Sequence, residues 1–195
     1  MKEFIKNYDV FFHFIEDVLQ AKDRRGVLDT LVEDIRDYLL ADRCTLFLYD
    51  KAANELVSRV AQGATEVRIP ADKTTLSGYC CITGETHAIH DAYDQEALSA
   101  IDPEIRVSSK WDERHGYKTK CALVTPIVAR GERVGVFLAM NKPGGFIGYS
   151  VEGLVEFAPL LGLAVEIVLL DEALAEGKTF DDLPFGSCCK VSPEG

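Results

Sequence analysis

Apolar side chains recur with helical spacing at both ends of the chain. Over residues 1–22 they follow an i, i+3, i+4, i+7 pattern, which predicts an amphipathic N-terminal helix. The same spacing continues from residue 23 into a second helix, and a long apolar pattern over 150–176 predicts a third. The second helix carries these apolar residues on one face: Val27, Leu28, Leu31, Val32, Ile35, Tyr38 and Leu39.

Two pairs of β-rich segments, each joined by a short turn, predict two hairpins. Residues 43–50 and 56–61 flank a polar turn in the first half of the chain. Residues 118–128 and 132–140 flank a glycine-containing turn at 129–131 in the second half. Short β-rich runs joined by turn residues are typical of antiparallel hairpins.

The segment between the two hairpins mixes short elements. We expect a short strand at 67–69, a helix over 74–83 that ends at Gly84, and a short strand at 87–90. Residues 94–116 are polar and are expected to form short helices and loops. This segment is therefore a helical insert between the hairpins.

The order of elements predicts an α+β fold. We expect a central antiparallel β-sheet with terminal helices on one face and the helical insert on the other. The expected organisation is an N-terminal helix over 1–22, one domain with a long C-terminal helix over 23–176, and a tail or linker over 177–195.

Composition narrows the range of partners. The 195 residues include 21 Lys and Arg against 32 Asp and Glu, which gives a net charge of −11. Nucleic-acid binding rests on clustered positive charge, so we expect no nucleic-acid partner. The apolar run over 157–170 is shorter than the roughly 20 residues that span a bilayer, so we expect no membrane partner either.

Cysteine and histidine usage points to a reduced, metal-free protein. The N-terminal residues lack the pattern of a signal peptide, and a cytoplasmic location with reduced thiols is expected. His87, His90 and His115 match no metal-ligand spacing, so no metal site is expected. The residues identify no cofactor. The six cysteines are Cys44, Cys80, Cys81, Cys121, Cys188 and Cys189.

A series of short motifs follows in order along the chain: Arg43–Asp50, Ile69–Asp72, Leu76–Tyr79, Thr83-Gly84, His90–Tyr93, Gly116–Thr119, Pro126-Ile127, Val134–Val136 and Asn141-Lys142. Together these motifs resemble the GAF domain family over roughly residues 43–166. The pattern is most similar to that of the cyclic-nucleotide-binding GAF domains of phosphodiesterases and adenylyl cyclases.

The resemblance implies a regulatory, non-enzymatic sensor. Such domains hold a small molecule between the sheet and the helical insert and pass its presence to terminal helices. By the same resemblance the ligand-binding residues are Thr45, Ala61, Gln62, Leu76, Ser77, Asp112, His115, Thr119 and Leu138.

Several of these positions depart from the cyclic-nucleotide binders. Ala61 and Gln62 stand where those binders carry Phe and Asp, and Leu138 stands where they carry Glu. Ser150 stands where they carry the Asp that pairs with the lysine matched by Lys142, unless Glu152 replaces it. We therefore expect a smaller, partly apolar ligand and no tight binding of cyclic AMP or cyclic GMP.

Two other readings of the sequence stay open. One is a cysteine-dependent enzyme like the GAF-type free methionine sulfoxide reductases, although its nucleophile is not matched. The other is a degenerate GAF domain that serves only for dimerisation. A homodimer through the terminal helices is expected because the last helix carries two apolar stripes. The first is Val151, Leu154, Val155, Ala158, Leu161, Val165 and Val168; the second is Leu160, Leu163, Ile167, Leu170 and Leu174.

Overall fold

The computed structural model describes residues 12–13, 15–16, 20, 26–64, 66–106, 116–179 and 183. Most of the predicted N-terminal helix over 1–22 lies outside the described residues, as do most of the tail and the predicted ligand-binding residues Asp112 and His115. The domain boundaries inferred from the sequence stay predictions.

The described helices begin and end at residues suited to those places. Thr75 caps the second helix by accepting a hydrogen bond from the Gly78 amide at 2.9 Å, and Gly84 follows it with φ +78°. Asp94 caps the third helix through the amides of Glu96 and Ala97. The helices whose bounds fall within the described residues are α1 (Val27–Leu39), α2 (Leu76–Thr83), α3 (Gln95–Ile101) and α4 (Tyr149–Ala175).

Six strands form one antiparallel sheet, in the order β3-β2-β1-β6-β5-β4. Both predicted hairpins are present, and β1 pairs with β6 to join them at the centre of the sheet. The strands are β1 (Arg43–Asp50), β2 (Glu55–Ala61), β3 (Arg68–Pro70), β4 (His87–Ile89), β5 (Ala122–Ala129) and β6 (Glu132–Met140).

The strand predicted from residue 118 begins four residues later, at Ala122. In this stretch, backbone groups that would otherwise bond a neighbouring strand form hydrogen bonds with the side chain of Asn141. Its Oδ1 accepts from the Lys120 amide at 2.6 Å, and its Nδ2 donates to the Lys118 carbonyl at 2.8 Å. The segment is thus extended and bonded, but it is not part of the β-ladder.

Two apolar clusters lie on opposite faces of the sheet, as predicted. On one face α1 and α4 pack on strand residues such as Leu46 and Phe137. On the other face α2 and α3 pack on strand residues such as Phe47 and Val136. Side chains of a strand alternate between the two faces, so β1, β2, β4, β5 and β6 each contribute to both clusters.

The long helix α4 is held close to the sheet. Gly162 lies against the backbone of Val128, where a Cβ atom would be 2.0 Å from the Val128 carbonyl oxygen. Arg130 pairs with Glu166 at 2.6 Å, and Arg59 pairs with Glu172. Residues Ser150–Ala175 are long and apolar enough to cross a membrane, but half of their most apolar window is buried within the fold.

The two predicted stripes of α4 divide differently from the expectation. In the first, Leu154, Leu161, Val165 and Val168 are buried, but Val155 is 48% exposed. In the second stripe, Leu160 is buried in the core of the same chain because it faces the sheet side of the helix. Leu163 and Leu174 remain exposed, at 44% and 76%.

Candidate functional site

A cavity of about 70 Å³ opens on the α2 face of the sheet. Its floor is formed by alternate residues of β1 and β6, and its walls by the segments that follow β2 and precede β5. This volume accommodates several water molecules or a small organic group. The lining residues are Arg43, Thr45, Phe47, Gln62, Gly63, Ala64, Val67, Tyr117, Thr119, Leu138 and Met140.

Gln62 presents a hydrogen-bond donor at this cavity. Directly after β2, its amide N–H donates to the Cys44 carbonyl at 3.2 Å, and its side-chain Oε1 accepts from the Cys44 amide at 2.9 Å. Because a backbone N–H can only donate, this bond fixes which end of the side chain is oxygen. The Nε2 group is buried and has no hydrogen-bond partner.

Tyr117 presents a second group of the same kind. Its hydroxyl is buried and makes no hydrogen bond of normal geometry, although the Asp42 carboxylate and the Asn141 side chain lie close to it. Burial, and then the nearby Asp42 carboxylate, raises the pKa of Tyr117, so the hydroxyl keeps its proton at neutral pH. Leaving a buried polar group unpaired costs about 1–3 kcal/mol, so both Gln62 and Tyr117 would gain from a partner.

Arg43 supplies positive charge beside these two groups. Its guanidinium lies over the Tyr117 ring, 3.9 Å from the ring centroid. Gly63 makes room for it, because a Cβ atom there would lie 2.5 Å from Arg43 Nη1. No carboxylate occurs among the residues described as lining the cavity. The lining side chains thus offer several donors and one positive charge, and the Asp42 carboxylate lies beside the Tyr117 hydroxyl.

The rest of the lining is apolar. Phe47 and Val67 are buried, and Leu138 and Met140 project from alternate positions of β6. Thr45 is 5% exposed and lies on β1 between the polar and apolar parts. An apolar cleft with a few placed polar groups is the usual plan of a small-molecule site.

Four of the predicted ligand-binding residues line this cavity: Thr45, Gln62, Thr119 and Leu138. Three others are not among the lining residues. Leu76 and Ser77 are buried in α2, and Ala61 packs against the same apolar cluster as Leu76. Asp112 and His115 lie outside the described residues. Ligand binding by any of these residues stays a prediction.

Sequence reasoning missed Arg43 and Tyr117 as lining residues. Two signals were available. Arg43, Thr45 and Phe47 alternate along one strand, so a strand that exposes Thr45 to a pocket also exposes Arg43 on the same face. Tyr117 lies two residues before Thr119, so their side chains point to the same side of the segment and both line the cavity.

The dipeptide Asn141-Lys142 links the cavity wall to α1. Asn141, with φ +58°, bonds the backbone of 118–120 next to Tyr117. Lys142 is 7% exposed, and its Nζ donates to the Leu39 carbonyl at 2.6 Å, at the carboxyl end of α1. A lysine that bonds a terminal carbonyl stabilises the end of a helix. Two consecutive residues, Asn141 and Lys142, therefore bond the segment beside the cavity and the end of α1, respectively.

The described cysteines are buried thiols. Burial raises the pKa of Cys44, Cys80 and Cys81 above the usual range. A thiol is a poor nucleophile until it ionises, so this environment opposes reactivity. No group of three or more potential metal-binding side chains occurs in the described part of the chain.

The comparisons with known proteins place this chain in one family. A family model described as GAF domain matches residues 23–165. The chain belongs to the GAF domain family.

The chain is 31% identical over 140 residues, 64% of its length, to a probable 3',5'-cyclic phosphodiesterase pde-5 of Caenorhabditis elegans. It is 30% identical over 174 residues, 80% of its length, to a dual 3',5'-cyclic-AMP and -GMP phosphodiesterase 11A of Takifugu rubripes. In both cases the chain spans only 18% of the relative's length.

Solved structures agree on the fold. The GAF domain of a phosphoenolpyruvate-protein phosphotransferase from Coxiella burnetii superposes with a TM-score of 0.67 at 19% identity. The match covers 89% of this chain and 97% of that one. A free methionine-R-sulfoxide reductase from Neisseria meningitidis superposes with a TM-score of 0.64 at 18% identity, covering 85% of this chain and 91% of the other. The predicted α+β architecture is confirmed.

Proposed function

We propose that this chain is a regulatory GAF domain that binds a small molecule in the cavity beside Gln62 and Tyr117. One observation carries the proposal: the cavity contains two buried polar groups without partners, Gln62 Nε2 and Tyr117 Oη. A folded chain keeps such groups at a cost in free energy, and a bound ligand with matching atoms removes that cost. In this reading Thr45, Thr119 and Leu138 complete the site.

In this proposal, ligand binding is coupled to α1 through the dipeptide Asn141-Lys142. A ligand that bonds Tyr117 restrains the segment 117–120, to which Asn141 is bonded. Lys142 then transmits any change in the position of Asn141 to the carboxyl end of α1 through its bond to Leu39. Coupling of this kind requires that the ligand favour one arrangement of the link over another.

We propose a non-enzymatic role for this domain. The raised pKa values of Cys44 and Cys80 support it, because a cysteine-dependent reductase needs a thiol that ionises near neutral pH. The structural likeness to a methionine sulfoxide reductase keeps that activity as the competing function. NADPH-coupled turnover with free methionine sulfoxide would favour it.

The identity of the ligand need not follow from the relatives. One relative is named as a dual cyclic-AMP and -GMP phosphodiesterase and the other as a probable 3',5'-cyclic phosphodiesterase, and the chain matches only a small part of each. Gln62 offers a donor amide and Leu138 offers no polar atom to a purine base. We propose that the cavity takes a smaller ligand.

We also propose a cytoplasmic homodimer. Three apolar residues, Val155 from the first predicted stripe and Leu163 and Leu174 from the second, are exposed along α4. The α4 helix of a second copy would cover these side chains with apolar surface of the same kind. Dimerisation through α4 places the α4 helices of the two copies side by side. In each copy, α4 follows the sheet that carries the cavity.

Native mass spectrometry of freshly purified protein tests the binding function. We expect a co-purifying small-molecule mass on the wild type and on Ala53→Trp, a substitution in the exposed turn after β1. Ala64→Trp fills the cavity and should remove that mass. The proposal fails if the wild type carries no small molecule and a compound library raises the melting temperature of the wild type and Ala64→Trp equally.

A further inference from the structure

The lining of the cavity defines the chemistry of its ligand. We infer that the ligand is a compact organic carboxylate whose oxygens bond Gln62 Nε2 and Tyr117 Oη next to the Arg43 guanidinium, with a short apolar body on Leu138 and Met140. This inference rests on the proposed function, because it assigns a ligand class to the same cavity.

The two unpartnered groups both call for an acceptor. The oxygen of the Gln62 side chain is bonded to the Cys44 amide, so only its two N–H donors remain for a ligand. The Tyr117 hydroxyl keeps its proton, and a ligand oxygen competes for it with the nearby Asp42 carboxylate. A ligand atom that meets both must carry lone pairs, which favours a carbonyl, carboxylate or phosphate oxygen.

Charge narrows that choice to an anion. Arg43 lines the same cavity, and its guanidinium lies 3.9 Å from the centroid of the Tyr117 ring. Among the described residues no carboxylate forms an ion pair with Arg43, and no described lining residue is acidic, although the Asp42 carboxylate lies near the Tyr117 hydroxyl. A planar guanidinium with several N–H groups matches the geometry of a carboxylate.

Size and apolar surface favour a carboxylate with a short organic body. The cavity volume of about 70 Å³ suits a compact molecule. Phe47, Leu138 and Met140 line the part away from the donors, and a hydrated phosphate ion would place charge against that surface. A carboxylate on a branched or short chain places its charge at one end and its methyl groups at the other.

Three probes separate these chemistries. Isobutyrate has the proposed carboxylate, isobutyramide has the same shape without the charge, and inorganic phosphate is an anion without an apolar body. Binding is followed by NMR through the side-chain amide signals of Gln62, which report directly on its Nε2 hydrogens. We expect isobutyrate to shift these signals in the millimolar range, with at least tenfold weaker effects of the other two probes.

Gln62→Glu is the decisive variant. It keeps the oxygen that accepts from the Cys44 amide and replaces the donor amide by a negative oxygen, so the backbone contact is retained. We expect isobutyrate binding to fall at least tenfold, monitored through backbone amides near Tyr117. Gln95→Glu, on the exposed start of α3, adds the same charge away from the cavity and should bind as the wild type does.

The outcomes separate this inference from the function on which it rests. Equal binding of isobutyrate and isobutyramide, a preference for phosphate, or unchanged binding by Gln62→Glu would overturn the carboxylate assignment. If Ala64→Trp still abolishes a co-purified ligand, the sensor function stands and only the ligand class is wrong. If Ala64→Trp also changes nothing, the proposed function fails with it.

Discussion

Replacing Gly162 by alanine tests how closely α4 packs on the sheet. A Cβ atom at this position would lie 2.0 Å from the carbonyl oxygen of Val128 and 3.0 Å from its carbonyl carbon. Real contacts of this kind essentially never fall below 3.0 Å, so α4 must move outward by about 1.0 Å. The obstacle is the backbone of β5, which cannot turn aside as the end of a flexible side chain can.

Two opposing effects set the size of the change. Alanine favours a helix over glycine by about 1 kcal/mol, which alone would stabilise Gly162→Ala. Overpacking a core costs about 1–3 kcal/mol and sometimes more, and a backbone obstacle belongs at the upper end. We expect Gly162→Ala to lower the free energy of unfolding by about 1–2 kcal/mol net. For a chain of this size the melting temperature should fall by about 2–8 °C.

Urea unfolding followed by circular dichroism measures this change, and Gly26→Ala is the matched control. Gly26 has φ −77° at the start of α1, and a Cβ atom there meets nothing within 4 Å. Its substitution should change stability by less than about 1 kcal/mol. If Gly162→Ala is as stable as Gly26→Ala, the packing of α4 on β5 is looser than argued, and helix propensity decides the outcome.

Three further predictions concern binding, assembly and pH. Calorimetric titration with cyclic AMP and cyclic GMP should show no submicromolar dissociation constant, because Gln62 and Leu138 replace groups that hold the purine; two losses of ~1.4 kcal/mol each would weaken binding about a hundredfold. Sedimentation at micromolar concentration should show a wild-type dimer and a Leu163→Glu monomer, and a monomeric wild type would contradict the proposed interface. Burial raises the pKa of the Cys44 and Cys80 thiols, so the folded chain retains protons that the unfolded chain loses above about pH 8.5. The free energy of unfolding should then fall as pH rises further, by up to about 1.4 kcal/mol per pH unit for each thiol. Replacing both cysteines by alanine should flatten that slope in urea titrations between pH 8 and 10.5, whereas an unchanged slope would count against the argument.

The elements with strong periodic patterns were predictable from the sequence. The strand predicted over 132–140 matches β6 to the residue, because alternating apolar residues and the turn at Arg130-Gly131 define both its face and its start. The apolar face of α1 was equally clear from the helical spacing of its apolar residues. These signals are local and need no knowledge of the rest of the fold.

The start of β5 and the polar end of the cavity depend on contacts between distant residues. Nothing near residue 118 indicates that Asn141 will occupy its carbonyl. The unpartnered amide of Gln62 arises only once β1 brings Cys44 opposite it. Pattern analysis identifies which residues share a face of a strand, but it cannot identify which polar atoms remain without a partner after folding.

The hydrogen bonds described for Asn141 and Lys142 have a consequence for sequence variation. Three of them, made by the two side chains, end on main-chain atoms: the carbonyls of Leu39 and Lys118 and the amide of Lys120. Side chains at those three partner positions can therefore change through evolution while these bonds between cavity wall and helix survive. The three bonds require a particular side chain only at the asparagine and the lysine, so distantly related chains can form the same connection with different residues at the partner positions.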